Sequence, residues 1–380
     1  TFPLVSQSYD DGDEFQEFGL RWSGQGFTYA SSPGWKIPEK PSLDDLPISS
    51  FVGVASVIDL SSSNLKLQIS PGDFTESQPD EIRPLAQRSN FMGASLVTHC
   101  FFTIASAIFV FSIWPNIFTF IIAVMIIGSR QLGLAILMHD SAHRALFAND
   151  FFNEKIGYWV CGAPILADMF AYRHYHLMHH KHTQTENDPD LNLSKPFPTS
   201  IRSIIRRIIR DITGQTGIKS IYNQIRTAFK LAFDKDAIDS LTKQPQSFKG
   251  NSISQPIIAN FLLFIVMWIA GEWWWWFAFW LLPLVTWFQL VVRIRSMAEH
   301  AATDFSDNEL QNVRTTYANP IIRLFLAPYW VNYHLEHHLI MHVPCWRLKK
   351  VHSLLIKKGY ADRMKVSKNY FDVFKQVTTN

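Results

Sequence analysis

The sequence predicts an all-α integral membrane protein with four transmembrane helices arranged as two hairpins. Three observations carry this expectation. Four long stretches are apolar and almost free of charge. They come in two closely spaced pairs, each pair split by a short break. The basic residues gather on one side of those pairs only. Bulk composition alone would not have suggested it, because hydrophobic residues make up an ordinary 47% of the chain.

The first 78 residues are rich in Ser, Asp, Gly and Pro and read as a poorly ordered extension with no assigned function. Residues 1–80 hold 12 acidic and 4 basic side chains, whereas the remainder holds 20 and 31, so the formal +3 sums two unlike parts. The apolar run at 51–60 is too short to cross a bilayer, which needs about 20 residues. No basic region followed by an apolar run lies near the beginning, so no secretory signal peptide is expected. Three scattered cysteines, Cys100, Cys161 and Cys345, do not make a disulfide framework.

The domain expected to carry function covers 79–380. Its spans are expected at about 91–114, 117–138, 253–271 and 273–292. Trp114-Pro115-Asn116 breaks the first pair and Gly271-Glu272 the second. Neither tip carries Lys or Arg, while the segment from Arg144 to Lys249 and the tail from Arg293 onward hold most of them. The positive-inside rule then puts both termini and the long connection in the cytoplasm. Arg130, inside the second span, requires a partner, a polar cavity or snorkelling to the surface. The segment 156–172 carries Asp168 and reads as a partial or interfacial element rather than a span. Over 201–212, isoleucines recur at helical spacing with arginines between them. Such a helix suits a membrane interface, the competing reading being packing on the protein's own cytosolic part.

Three histidine clusters stand out on this framework. HDSAH contains His139 and His143, HLMHH contains His176, His179 and His180, and HLEHH contains His334, His337 and His338. Residues i, i+3 and i+4 share a helix face, so each box can aim imidazoles at one place. Neighbours such as His179 and His180 diverge by about 100°, so one ion could hardly use both, whereas two ions could share them. The topology brings all three boxes to the cytoplasmic side. Imidazole suits zinc, copper, iron and nickel. Eight imidazoles exceed the four ligands of structural zinc, and a set this large fits two irons better. His300, after the fourth span, stands where a ninth ligand could arise. His174 and His182 read as supporting or surface groups, His99 as a packed polar group, and His342 and His352 as structural. Asp140, Asp188, Asp190, Glu299, Asn332 and Glu336 are candidate acceptors for the outer ring nitrogens.

HDSAH, HLMHH and HLEHH, separated by hydrophobic hairpins, resemble the membrane fatty acid desaturase superfamily over roughly residues 80–365. The resemblance implies a di-iron site held in a cytosolic helical cap above four membrane helices. It implies an oxygen-dependent reaction that leaves a double bond in a lipid acyl chain. The ligands carried over are His139, His143, His176, His179, His180, His334, His337 and His338, with His300 as the additional one. No catalytic group beyond these is expected. Three residues intervene in the first box, which is more similar to desaturases of complex lipids than to acyl-CoA delta-9 enzymes. Front-end desaturases commonly begin the third box with Gln and carry a fused b5-type domain, and this chain does neither. Electrons are therefore expected from an external donor, a ferredoxin or a b5-type cytochrome, and no nucleic-acid partner is expected. Two alternatives stay open at this point. One is a hydroxylase or ketolase acting on a lipid, carotenoid or alkane from the same scaffold. The more remote one is a zinc-dependent membrane transporter or lipid hydrolase.

Overall fold

The computed structural model describes residues 2–3, 19–22, 27–30, 79–233, 254–306 and 308–379. It divides into two units, Thr1–Glu81 and Ile82–Asn380. In the first, strands β1 (Phe2–Pro3), β2 (Gly19–Trp22) and β3 (Phe27–Ala30) pair antiparallel, Phe2 opposite Leu20 and Leu20 opposite Tyr29. The expected extension over 1–78, with its apolar run at 51–60, otherwise lies outside the described residues.

The second unit is mostly helical. Helix α1 (Asn90–Ile113) is opened by Ser89, whose hydroxyl accepts from the Met92 amide at 3.3 Å. It ends before Pro115, as the sequence predicts. Asn116 then starts helix α2 (Ile117–Ala142), accepting from the Phe118 and Thr119 amides, while Thr119 accepts back from the Asn116 amide. The expected first hairpin is thus capped from both sides of its tip. α2 is the central rod of the unit, buried continuously from Ile127 to Ala142.

Such burial leaves polar groups that need partners. Gln131 donates to the Trp280 carbonyl at 2.8 Å, and Trp280 donates through its indole to Pro164 at 3.0 Å. Arg130 does not snorkel. It is 3% exposed, and Nη2 donates at 3.0 Å to the carbonyls of Arg323 and Leu324, with the guanidinium over the Tyr329 ring. It therefore caps the carboxyl end of a later helix (Pro320–Phe325).

The segment after the first box is not a fifth span. Helix α3 (Asp150–Ile156) runs into a wide turn at Gly157–Gly162 and a tight one at Ala163–Ile165. The chain reverses at Leu166, whose φ is +63°. Asp168 then caps helix α4 (Met169–His182), accepting from the amides of Phe170 and Ala171. Its charge in an apolar stretch is thereby explained as an N-cap.

Among the described residues, three helices are long and apolar enough to cross a membrane: Asn90–Ile113, Ile117–Ala142 and Phe277–His300. The third expected span matches a shorter apolar helix of 17 residues, α5 (Ser254–Ala270). The fourth begins four residues later than expected, at Phe277, and continues past Arg293 to His300. By charge alone, the sequence predicts an end just before Arg293. The helix continues because Arg293 is paired with buried Asp211 and Arg295 with Glu299. Its last segment, α6 (Trp287–His300), packs against α2.

Beyond the spans, the isoleucine–arginine stretch forms helix α7 (Ile201–Ile212). Ile204 is buried and Ile208 packs against a core that includes Phe197, Met297 and Val373. Ile201, Ile205, Ile209 and Ile212 form a second apolar stripe and stay about half exposed. The helix thus packs on the protein with one face and leaves another apolar face outward. Two parallel strand pairs secure the tail, Thr315–Thr316 with Val366–Ser367 and Thr199–Ser200 with Thr378–Thr379.

Gly157 lets the turn after α3 pass directly over Ser141, in the last turn of α2. A Cβ there would lie 2.3 Å from the Ser141 Cβ and 2.8 Å from the Met169 sulfur. Gly157→Ala is expected to cost about 1–3 kcal/mol through overpacking. The readout is the thermal midpoint of the detergent-solubilised protein, and an unchanged midpoint would show that the Ser141 turn gives way freely.

Candidate metal centre

Four helices deliver the histidines. α2 supplies His139, with His143 as its C-cap. α4 supplies His176, His179 and His180, and α6 ends on His300. A short helix, α8 (His334–Leu339), carries the third box. The last turns of these helices hold His139, His179, His180, His300, His337 and His338. Their carboxyl ends therefore face one region.

All nine histidines singled out in the sequence meet there, in one set of five and two smaller sets that adjoin through His300. The donor atoms of His139, His143, His176, His180 and His337 lie within 4.8 Å of one another. His179, His300 and His338 form a second such set, and Glu299, His300 and His334 a third that shares His300 with it. The neighbours His179 and His180 fall in different groups, as do His337 and His338, following the divergence expected of adjacent helical residues. The groups touch where His180 and His338 stack, ring centroids 4.1 Å apart.

The nitrogens face each other at ligand-like spacing. Nε2 of His180 is 2.9 Å from that of His176 and 3.0 Å from that of His337. Nε2 of His334 is 2.9 Å from that of His300 and 3.2 Å from that of His338. Two donors at right angles around one ion, each ~2.1 Å from it, lie ~3.0 Å apart. His139 Nε2 and His143 Nε2 are buried and lack a hydrogen-bond partner. A polar atom so placed is costly unless something fills the gap. The donor sets could therefore hold metal ions.

Burial keeps most of these rings neutral, with lone pairs free. Desolvation, reinforced by neighbouring imidazoles, holds His176, His180, His334, His337 and His338 well below the usual histidine range. Burial, with Arg173 and His342 nearby, takes His143 down to about 3. His179 differs. Burial lowers it, but the Asp188 hydrogen bond and the carboxylates around it raise it overall.

The expected acceptors divide. Asp188 Oδ1 takes His179 Nδ1 at 2.8 Å, and Asp188 is itself held by the amides of Gln184 and Asp190. Asp190 accepts from the Tyr175 hydroxyl. Asp140 lies 3.5 Å from His139 Nδ1 and accepts from the Cys345 amide. Glu336 instead serves His352 and Thr315, and Asn332 donates to the Thr316 carbonyl, so neither touches the nine histidines. His99 hydrogen-bonds the Tyr329 hydroxyl at 3.0 Å, as befits a packed polar group. His174 is exposed, and neither it nor His182 joins the groups.

Other contributors left no mark in the sequence. Thr183 lies 3.3 Å from His338 Nδ1 and donates to the His179 carbonyl. Gln184 donates to the His300 carbonyl, tying the loop after α4 to the end of α6. Arg314, 1% exposed, donates to the carbonyls of Met297, Ala298, Ala301 and Ala302 and so closes the end of α6. Beside the second group is a cavity of about 80 Å³ lined by Leu132, Ala135, Tyr172, Val292 and Ser296, among others.

This is a helical membrane-type protein built around two adjoining imidazole groups. Residues 82–368 match the fatty acid desaturase family, and the chain belongs to it. It is an oxidoreductase of the desaturase class. It is 27% identical over 295 residues to the dihydrorhizobitoxine desaturase of Bradyrhizobium elkanii, covering 75% of this chain and 80% of that one. It is 23% identical over 266 residues to the sn-1 oleoyl-lipid 12-desaturase of Picosynechococcus sp., covering 66% and 73%.

Asp188 holds one ring at the boundary of both groups. Asp188→Ala is expected to weaken metal retention roughly 10–100-fold, as is usual when the acceptor behind a ligating imidazole is lost. Titrating the metal-loaded protein with a chelator measures this, and wild-type retention would contradict it.

Proposed function

We propose that this protein is an oxygen-dependent acyl-lipid desaturase with two iron ions. The observation that carries the reading is the convergence of nine imidazoles into a set of five and two smaller sets that share His300, in a chain of the desaturase family. In this reading His139, His143, His176, His180 and His337 hold one ion. His179, His300, His334 and His338 hold the other. Bound iron would supply oxygen activation and the removal of two hydrogens from neighbouring methylenes.

The chain's own residues supply placement. Neutral imidazoles present lone pairs, and the buried walls around them exclude water. Leu132, Ala135 and Val292 give the adjoining cavity an apolar side suited to a hydrocarbon chain. The substrate is a lipid, and the domain over 79–380 is the catalytic one, with 1–78 an extension.

The same reading assigns four membrane spans, with α5 as the short third. At 17 residues it lies at the lower limit for a bilayer helix. Exposed Phe102, Phe109, Phe118, Phe261 and Ile269 give these helices the apolar outer faces that lipid requires. Both termini and the metal centre lie on the cytoplasmic side, in keeping with the positive charges of the connection and tail. The half-exposed isoleucine stripe of α7, beside Arg202, Arg206 and Arg210, lies in that membrane interface. Electrons come from an acidic ferredoxin or b5-type cytochrome. Lys349, Lys350 and Lys357, on an exposed helical surface, suit such a partner.

Expression in a host of known lipid profile, followed by mass spectrometry of its fatty acids, tests the proposal. A product lighter by two hydrogens is expected, and it should vanish with His179→Ala or His337→Ala. Gain of one oxygen would instead support the hydroxylase alternative. An iron-free protein, or full activity in either variant, would overturn the reading.

A further inference from the structure

The two imidazole groups are unequal, and Glu299 lies where the smaller one is short. It is 5% exposed, in the last turn of α6 beside His300. Its Oε1 accepts from Arg295 Nε at 2.7 Å. Its other oxygen, Oε2, lies 3.4 Å from His334 Nε2. That same nitrogen is 2.9 Å from His300 Nε2 and 3.2 Å from His338 Nε2.

The choice of nitrogen is informative. A carboxylate that merely orients a ligating imidazole takes the outer ring nitrogen, leaving the inner one for the metal. Asp188 does this to His179 Nδ1. Glu299 instead approaches the nitrogen through which His334 meets the other imidazoles. Its oxygen belongs among the inward-facing atoms, and donor atoms of Glu299, His300 and His334 all lie within 4.8 Å of one another.

We propose that Glu299 is a metal ligand, the fifth donor of the group formed by His179, His300, His334 and His338. Arg295 is the positioning residue: it occupies one carboxylate oxygen and leaves the other for the ion. The two positions then differ in charge as well as in geometry. One ion has five neutral imidazoles, the other four imidazoles and an anionic oxygen. A hard anionic donor favours the more highly charged state of its ion. The carboxylate-bearing position is therefore the more readily oxidised of the two.

The inference rests on the two-iron reading, and the test separates the two claims. Purified full-length protein is loaded with ⁵⁷Fe and examined by Mössbauer spectroscopy, with iron retained against a chelator measured in parallel. Wild type should hold about two ions per chain in two distinct environments. Should it hold none, the proposed function fails. If wild type behaves as expected, Glu299→Gln should alter the signal of one iron, leave the other, and reduce retained iron to about one per chain. An unchanged spectrum with full retention would overturn the ligand assignment and leave the two-iron reading intact. Helical circular dichroism and a monodisperse elution profile establish that the variant folds. If it does not, Glu299→Asp keeps the charge but withdraws the oxygen by one methylene. It should perturb the same single iron signal, and an unperturbed spectrum counts equally against the proposal.

Discussion

Nine imidazoles in one buried region can coexist only if almost all of them stay neutral. Charging several would set like charges a few ångströms apart in a medium that screens poorly. Neutral rings can turn lone pairs toward each other, an arrangement that cations between them would satisfy. The rest of the unit serves this constraint. Three of the contributing helices point their carboxyl ends at the centre from separate parts of the chain, and the short helix of the third box adds a fourth. Each longer helix brings roughly half a negative charge to its end. The backbone thereby favours cations at the place where the side chains require them.

Helix ends are also where carbonyls lack partners, and here those carbonyls are buried. Arginines meet much of this need. Arg314 satisfies four carbonyls around the end of α6, and Arg130 two at the end of Pro320–Phe325. Both are pinned deep in the protein and act as caps rather than as surface charges. Asp168 has the complementary role at the start of α4. Several charges that look out of place along the chain are thus bonded to backbone.

What could be read in advance followed the range of the interaction. Each histidine box was legible because its shared face depends on i, i+3 and i+4 spacing, a local property. The first hairpin was legible because Pro115 and Asn116 act within a few residues. The extension of the last span beyond Arg293 was not, because it depends on Asp211, 82 residues away. Gln184 and Arg314 were invisible for the same reason, since their carbonyl partners are set only by folding. Asp168 stands out as a charge in an apolar stretch, but its capping role depends on where the folded helix starts. Glu336 looked like a support for its neighbouring ligands, yet it turns to His352 and Thr315.

The adjacent pairs His179–His180 and His337–His338 each split between the two groups. A single peptide step, turning about 100° and rising 1.5 Å, therefore sets the relation between the two positions on both helices. Both boxes serve both positions, whereas α2 serves only one and α6 only the other. Deleting one residue within either box would rotate donors away from both positions at once. The register of these two helices is thus common to both positions, and a shift in it cannot spare either one.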